Sequence, residues 1–288
     1  SDEELIENLK KINPTVVGLS AVLSWCYPNV KRITKILRKH FPNVLIVVGG
    51  HITASSNVVL RKTETDICIV GDGEIPFLKL IDYYKLHPNR SQLDYTKLNQ
   101  IKGLSFIDNN KEIKVTGNAE QISASEMPLS NLDRLESGLQ KFAGNADLID
   151  EYFEPIKDYE SFIEKFDNKY LVKEQTKLDK KFIKNTRIMS IFTSRGCVAR
   201  CTFCQRAQKG YRAYEANDFE SYVVNLKEKH NVGGFIFKDE NFGSNKRQSY
   251  EIAKIMKKHN FYWAPEGVRC RSVTYEDLKF YKEHNMFS

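Results

Sequence analysis

The stretch Val44-Leu45-Ile46-Val47-Val48-Gly49-Gly50 decides the fold of this chain, because it is an unbroken apolar run that ends in two glycines. A run without polar alternation predicts a strand that is covered on both faces, as in a parallel sheet between helices. Glycines at the end of such a strand leave the backbone open to a bulky ligand. The run therefore predicts a buried parallel strand with a candidate binding loop at its carboxyl end.

The segments on both sides of this strand repeat the pattern. Val16–Ser20 and Asp66–Val70 are also short apolar runs, and we expect them beside it in one sheet. Apolar residues at helical spacing predict helices at 3–11, 28–40, near 54–61 and from about Glu74 to Leu86. Strands that alternate with helices predict an α/β domain, whose ligands bind at the carboxyl ends of the strands.

The three predicted strand ends hold the candidate ligand-binding residues of this domain. They are Ser20, Gly49, Gly50, Gly71, Asp72, Gly73 and Glu74. The pattern G-x-G-x-x-G follows none of these strands, so the sequence does not indicate a dinucleotide. The neighbouring His51 is interpreted as a solvated loop histidine rather than a metal ligand.

A second decisive stretch is Cys197-Val198-Ala199-Arg200-Cys201-Thr202-Phe203-Cys204, a C-x3-C-x2-C run. Three thiolates this close in sequence converge on one metal centre if the loop wraps around it. Iron–sulfur clusters usually have four cysteine ligands, so three would leave one iron open to a small molecule. The alternative is a zinc knuckle, but a structural zinc site needs four ligands. The next thiol, Cys270, is isolated, and no histidine pair follows at zinc-finger spacing.

This spacing, with the aromatic Phe203 before the third cysteine, resembles the signature of the radical S-adenosylmethionine (SAM) superfamily. The segment 187–196 is similar to the first strand of that family's barrel and its exit. The resemblance implies a 4Fe–4S cluster on Cys197, Cys201 and Cys204. It also implies an open iron that chelates the amino and carboxylate groups of SAM.

The same resemblance implies residues that contact SAM. Phe203 is expected near the adenine, and Asp239 and Glu240 near the amino or ribose groups. Arg269 is expected at the end of a strand, where its guanidinium can pair with the SAM carboxylate. The alternatives are an acidic loop before a helix for Asp239 and Glu240, and a surface turn for Arg269.

The order of the motifs in residues 1–117 resembles the cobalamin-binding domain that precedes many radical SAM barrels. The resemblance implies a Rossmann-like parallel sheet that holds cobalamin at the seven residues of its carboxyl edge. The motif D-x-H-x-x-G, which supplies a cobalt-ligating histidine in other cobalamin proteins, is absent here. Radical SAM relatives commonly lack it, so its absence does not exclude the cofactor.

The remaining segments complete the predicted domain plan. A hairpin is predicted at 101–116, a polar linker at 118–186 with a helical patch near 158–166, and a partial (βα) barrel at 187–288. Within that barrel we expect helices at 218–230, 246–259 and 274–284, and strands at 234–238 and 262–269. Met286-Phe287 is predicted to begin another strand. The chain has fewer strands than either family domain, so it is expected to be truncated at both ends.

Composition and charge limit the setting. The 288 residues are 41% hydrophobic and carry a net charge of +7, with 44 basic and 37 acidic side chains. Basic residues concentrate around the cysteine run, where they balance an anionic cluster and the SAM carboxylate or are simply solvated; nucleic-acid binding is not favoured. The sequence has no signal-peptide pattern and no apolar run near the roughly 20 residues of a membrane span. A cytoplasmic location is expected.

The expected function is that of a cobalamin-dependent radical SAM enzyme. It would cleave SAM reductively to a 5′-deoxyadenosyl radical and transfer a methyl group to an unactivated carbon. The expected partners are a small-molecule or peptide substrate and an electron donor such as flavodoxin or ferredoxin. The alternatives are a cyclisation or rearrangement, a first domain that no longer binds cobalamin, and a non-catalytic metal-binding or RNA-binding module.

Overall fold

The structure is a computed structural model that describes residues 1–22, 24–86, 88–156, 186–202, 204 and 210–287, without the side chain of Phe142. The helical patch near 158–166 and Phe203 lie outside the described residues. The chain divides into two compact units. The first unit is Ser1–Ile122 with the described residues between Arg200 and Lys209, and the second is Ser123–Ala199 with Gly210–Ser288.

The first unit is built on a five-stranded sheet in the order β1-β2-β3-β4-β5. The strands are β1 (Val16–Ser20), β2 (Leu45–Gly49), β3 (Ile67–Ile69), β4 (Leu104–Ile107) and β5 (Ile113–Val115). The first three strands are parallel neighbours, which confirms the prediction for them. The predicted hairpin is also present, and it extends the sheet because β4 pairs antiparallel with β3.

Helices cover both faces of this sheet. They are α1 (Asp2–Ile12), α2 (Tyr27–His40), α3 (Ser56–Lys62), α4 (Glu74–Leu86) and the single turn α5 (Tyr95–Leu98). Alternate residues of β2 pack on opposite sides: Leu45 and Val47 contact the cluster that contains Leu80 of α4. Val48 belongs to the cluster that contains Val59 of α3. The whole of Val44–Val48 is at most 4% exposed, as the unbroken apolar run predicts.

A buried ion cluster locks the amino ends of β2 and β3, opposite the predicted ligand edge. Asp66 precedes β3 and accepts a hydrogen bond from Arg38 Nη2 at 2.8 Å and another from Arg90 Nε at 2.6 Å. Its carboxylate also accepts from the backbone nitrogen of Ile46 at 2.8 Å. Because Asp66 is 9% exposed and meets two guanidinium groups, its charge is neutralised where water is largely excluded.

The second unit contains a four-stranded sheet in the order β11-β10-β7-β6. Its strands are β6 (Glu154–Ile156), β7 (Thr186–Ile191), β10 (Val232–Phe237) and β11 (Tyr262–Pro265), with helices α6 (Leu132–Ala143), α7 (Ala216–His230), α8 (Lys246–Lys258) and α9 (Tyr275–Glu283). The strands β7, β10 and β11 are parallel, as the βα pattern predicts. A bridge between Trp263 and Met286 lies where a further strand was expected.

Two details of the second unit differ from the predictions. The segment expected to be a linker contains α6 and β6, and β6 pairs antiparallel with β7. A three-residue strand that contains Pro155 has too short a pattern to be recognised, although proline suits an edge strand. The strand predicted at 262–269 ends at Pro265. Arg269 therefore lies in a loop beyond the sheet and not at a strand end.

An aromatic cluster forms the core of the second unit. Phe237 stacks on Trp263 with ring centroids 5.2 Å apart, and Tyr281 meets Trp263 edge to face at 5.6 Å. All three side chains are at most 1% exposed. This cluster packs α9 against β10 and β11. Among the described residues, no helix is long and apolar enough to cross a membrane.

Candidate functional site

The predicted ligand edge of the first unit is formed where β1 and β2 end side by side. Ser20 and Gly49 are direct partners in the parallel register. Beyond them, Ala21 N donates to Gly49 O at 2.9 Å, and Ile52 N donates to Ala21 O at 3.2 Å. The loops that follow the two strands are therefore tied together by backbone hydrogen bonds.

The two glycines at this edge have different roles. Gly50 has φ +91° and ψ −179°, a conformation that is essentially limited to glycine. A Cβ atom on Gly50 would lie 2.5 Å from the carbonyl oxygen of Ala21. A Cβ atom on Gly49 would meet nothing within 4 Å. Gly50 is thus required by the backbone, whereas Gly49 exposes an open backbone surface.

The third strand end carries the remaining candidates. Gly71 has φ +96°, and the backbone of Val70 before it is held by a 2.8 Å hydrogen bond to Gly103 O. Asp72 accepts a hydrogen bond from Gln121 Nε2 at 3.2 Å. Gly73 is half-buried, and Glu74 is exposed at the start of α4. All seven predicted residues thus lie at one edge of one sheet.

Sequence reasoning missed Thr53, a buried residue that joins two of these loops. Its hydroxyl lies 2.7 Å from both Gly50 O and Ile69 O, so it bridges the loop after β2 to the end of β3. A threonine in a short helical turn carries no sequence signal for this contact, because the partners are distant in the chain. His51 is exposed, as predicted.

The edge fits a large and partly apolar ligand such as a corrin. A Cβ atom on Gly49 would meet nothing within 4 Å, so there is open space beside the backbone at this strand end. In the loop after β1, Val22 is 52% exposed and Trp25 is 76% exposed, so apolar surface is available beside the strand ends. Open backbone beside apolar side chains suits a ligand that is large and partly apolar.

The cysteine run begins on a short strand of the second unit. β8 (Ser194–Cys197) pairs antiparallel with β9 (Gly210–Ala213), so that Cys197 is opposite Gly210. Gly196 has φ +80°, and a Cβ atom there would collide with the carbonyl oxygen of Gly210. Cys197 was expected at the carboxyl end of the first barrel strand. It lies instead at the end of the separate strand β8, because Phe192 and Thr193 are not in strand conformation and separate β8 from β7.

The three cysteines differ in exposure. Cys197 is 8% exposed, Cys201 is half-buried and Cys204 is exposed. The backbone nitrogen of Ala199 donates to Cys197 Sγ at 3.3 Å, and Cys204 N donates to Cys201 O at 3.1 Å. Over the described ranges, no group of three or more His, Cys, Asp or Glu side chains is arranged to hold a metal ion. The three thiols lie within eight consecutive residues of the chain.

The donor chemistry of this loop nevertheless fits an iron–sulfur cluster. All six cysteines of the chain are thiols rather than disulfides. Thiols are the ligands of such clusters, and a backbone N–H that points at sulfur is a typical contact around them. By contrast, burial raises the pKa of Cys68 to about 12, so that thiol in β3 stays protonated and unreactive.

Asp239 is buried and hydrogen-bonded to the turn before the cysteine run. Its side chain is 3% exposed, and Oδ1 accepts from Thr193 N at 2.7 Å and from Ser194 N at 3.0 Å. Oδ2 accepts from the hydroxyl of Thr193. Burial raises the pKa of Asp239 above its ordinary value, although these hydrogen bonds oppose the shift. The carboxylate predicted to contact SAM is thus engaged by the protein itself.

The other predicted SAM residues lie in two exposed loops. Glu240 follows Asp239 and is exposed. Arg269 is also exposed, and its backbone nitrogen donates to Asn241 Oδ1 at 2.9 Å, which ties the loop after β11 to the loop after β10. Phe203 lies outside the described residues. Of the four, Glu240 and Arg269 are the ones whose side chains are exposed to solvent.

Known proteins are similar to this chain over both of its parts. The B12 binding domain family matches residues 1–81. A similar curated protein is cytidylyl-2-hydroxyethylphosphonate methyltransferase of Streptomyces wedmorensis, 24% identical over all of this chain and 51% of its own length. An uncharacterised methyltransferase of Pyrococcus horikoshii is 23% identical over 88% of this chain and 46% of its own length.

Solved structures share the fold. The cobalamin-dependent SAM radical enzyme OxsB, solved with aqua-cobalamin and SAM, covers 99% of this chain with a TM-score of 0.63 at 19% identity. The radical SAM methyltransferase TsrM of Kitasatospora setae, solved with cobalamin and a 4Fe–4S cluster, covers 95% with a TM-score of 0.56 at 12% identity. The chain spans 36% of the first structure and 57% of the second, and about half the length of the two curated relatives.

Proposed function

We propose that this protein is a cobalamin-dependent radical SAM methyltransferase that acts on an unactivated carbon. The observation that carries the proposal is the presence of two cofactor signatures in one chain. Residues 1–81 match the B12 binding domain, and Cys197, Cys201 and Cys204 have the radical SAM spacing. One signature alone would support only half of this reaction, because methyl donation and hydrogen abstraction require different cofactors.

The residues of the chain bind and orient these cofactors. Cys197, Cys201 and Cys204 are the ligands of a 4Fe–4S cluster, and the edge at Ser20, Gly49, Gly50 and Gly71–Glu74 holds cobalamin. When bound, the cluster and SAM supply a 5′-deoxyadenosyl radical, and cobalamin supplies the methyl group. Glu240 and Arg269 are candidates to bind the amino and carboxylate groups of SAM, because both are exposed in loops after parallel strands.

The proposal includes the partners and setting of the enzyme. The substrate is a small molecule or a peptide, and an electron donor such as flavodoxin or ferredoxin reduces the cluster. A reducing cytoplasm suits a chain whose six cysteines are all thiols. The methyltransferase names of two relatives support methyl transfer as the reaction.

A cyclisation is the second candidate. Another similar protein, 22% identical over 89% of this chain and 35% of its own length, is the anaerobic magnesium-protoporphyrin IX monomethyl ester cyclase of Cereibacter sphaeroides. A cyclase would use the same two cofactor sites without transferring a methyl group from SAM. The products of SAM therefore distinguish the two reactions.

The test is anaerobic reconstitution of the full chain with iron, sulfide and cobalamin, followed by reduction in the presence of SAM. The proposal predicts iron–sulfur and cobalamin absorption bands, and deoxyadenosine as a product. In the presence of substrate, a methyltransferase also forms S-adenosylhomocysteine, whereas a cyclase does not. A chain that binds stoichiometric zinc and no iron would contradict both candidates.

A further inference from the structure

The hydrogen bonds around Thr193 form a small buried network that the proposed chemistry does not use. Asp239 follows β10, and both its carboxylate oxygens bond to the turn between β7 and β8. Thr193 and Ser194, which donate these bonds, are at most 3% exposed. A carboxylate that accepts three hydrogen bonds from one turn of the chain holds that turn in place.

A second group of contacts holds the opposite side of the same residue. The carbonyl oxygen of Thr193 accepts from Gln248 Nε2 of α8 at 2.8 Å and from Tyr214 N at 3.2 Å. Gln248 in turn accepts from the hydroxyl of Tyr211 in β9 at 2.8 Å. The backbone of Thr193 is therefore held from the loop after β10, from α8 and from the strand that pairs with β8.

This network lies at one end of β8, and Cys197 lies at the other. Ser194, the first residue of β8, is bonded to Asp239, and its partner in the ladder is Ala213. The close approach of Gly196 to the carbonyl of Gly210 leaves no space between β8 and β9. β8 is only four residues long and is held at its start and along its length. The position of Ser194 therefore determines the position of Cys197.

We propose that Asp239 is a positioning residue for the cysteine run. Through Thr193 and Ser194 it fixes the direction in which β8 leaves β7, and it thereby holds Cys197 in its buried position. The purpose of that position, ligation of an iron–sulfur cluster, rests on the proposed function. The position itself is a property of the chain and is measurable without a cluster.

The test uses the reactivity of Cys197 in the full chain before any cluster is added. The chain is kept reduced and anaerobic, pulsed with iodoacetamide, and analysed by peptide mass spectrometry to give a rate for each cysteine. In Asp239→Ala, three buried donors lose their acceptor, so the alkylation rate of Cys197 is expected to rise about tenfold. The rate of the exposed Cys204 is expected to stay unchanged.

Asp277→Ala is the matched control, because Asp277 is also 3% exposed and also accepts several hydrogen bonds in the second unit. Its partners belong to α8 and to the start of α9, not to the turn before β8. This variant is expected to leave the rate of Cys197 at the wild-type value. An equal rise in both variants would show general loosening of the unit and would overturn the inference.

Two milder variants keep the test decisive if Asp239→Ala fails to fold. Thr193→Val removes one donor and is expected to raise the Cys197 rate in the same direction but less. Asp239→Asn retains an oxygen that accepts from both amides and is expected to restore most of the protection. If Asp239→Ala folds, a wild-type Cys197 rate in that variant would refute positioning by Asp239. If it does not fold, a wild-type Cys197 rate in Thr193→Val would refute it.

Iron content after anaerobic reconstitution separates this inference from the proposed function. If the wild type takes up iron, Asp239→Ala is expected to bind several-fold less per folded chain, with an altered electron paramagnetic resonance spectrum of the reduced cluster. Normal iron and a normal spectrum in that variant would overturn the inference and leave the proposed function intact. If the wild type takes up no iron, the proposed function fails, and the alkylation rates still decide the role of Asp239.

Discussion

Gly50 and Ala21 lie so close together that a Cβ atom on Gly50 would be 2.5 Å from the carbonyl oxygen of Ala21. The same oxygen accepts a hydrogen bond from Ile52 N at 3.2 Å, so it cannot move away without breaking that bond. The loops after β1 and β2 therefore meet backbone to backbone. The neighbouring Gly49 has open space where its side chain would be.

This relationship predicts opposite outcomes for two adjacent substitutions. Gly50→Ala is expected to lower the free energy of unfolding by about 1–3 kcal/mol, because it adds a collision to a backbone conformation that L residues rarely adopt. Gly49→Ala is expected to leave stability nearly unchanged. Urea denaturation of both variants measures the difference. Equal losses would show that the space at Gly49 is not open in solution.

A large side chain at Gly49 tests the cobalamin edge. Gly49→Phe is expected to abolish cobalamin binding while the chain stays folded, since a Cβ there meets nothing within 4 Å. Gly138→Phe in α6 is the control, because a Cβ at Gly138 also meets nothing within 4 Å. Absorption spectra after anaerobic incubation with cobalamin report binding. Full binding by Gly49→Phe would remove this edge from consideration.

Substitution of single cysteines tests the cluster ligands. Cys197→Ala, Cys201→Ala and Cys204→Ala are each expected to lose the iron–sulfur absorption band and deoxyadenosine formation. Cys270→Ala is a suitable control because Cys270 is also an exposed thiol but lies outside the run. Iron and sulfide analysis of the reconstituted proteins gives the result. Retention of a full cluster by any variant of the run would contradict its assignment as a ligand.

The ion cluster of Asp66, Arg38 and Arg90 is expected to stabilise the first unit and to leave cofactor chemistry unchanged. Asp66→Ala leaves Arg38 and Arg90 without their shared carboxylate and is expected to cost about 3 kcal/mol. Asp82→Ala removes the exposed pair with Lys85 and is expected to cost well under 1 kcal/mol. Thermal denaturation compares the two. Similar small losses would show that the Asp66 cluster is solvated.

Asp277 makes the stability of the second unit sensitive to acid. Burial acts to raise its pKa, but hydrogen bonds from Lys246, Thr274 and Tyr250 outweigh burial and hold the pKa well below its ordinary value. A carboxyl whose pKa is lower in the folded state stabilises it above the unfolded pKa of about 4, and this contribution is lost as the pH falls further. The melting temperature of the wild type is therefore expected to fall more steeply below about pH 4 than that of Asp277→Asn. Parallel curves for the two proteins would contradict this account.

The parallel core of the first unit was predictable because burial on both faces leaves a direct mark on the sequence. Val44–Val48 carries no polar residue and is buried throughout. The alternating polarity of the 101–116 hairpin was similarly visible. The pairing of β4 with β3 was not, because antiparallel addition at the side of a sheet depends on contacts between segments far apart in sequence.

The glycines and cysteines of the candidate site can be picked out in the sequence, but the hydrogen bonds around them cannot. Asp239 was consistent with a SAM contact or an acidic loop, and only the fold brings its carboxylate to Thr193, 46 residues earlier in the chain. The expected placement of Arg269 at a strand end was wrong, since β11 ends at Pro265. Thr53 was missed for a similar reason, because its partner Ile69 is 16 residues away.

The antiparallel strand β6 forms one edge of the second sheet. β7 has a hydrogen-bonded neighbour on each side, β6 on one and β10 on the other. The other edge strand of the sheet is β11, where the bridge between Trp263 and Met286 lies. β10 and β7 lie between that edge and the turn at Thr193, which follows β7. A strand paired to β11 would therefore widen the sheet without contacting the turn that leads into the cysteine run.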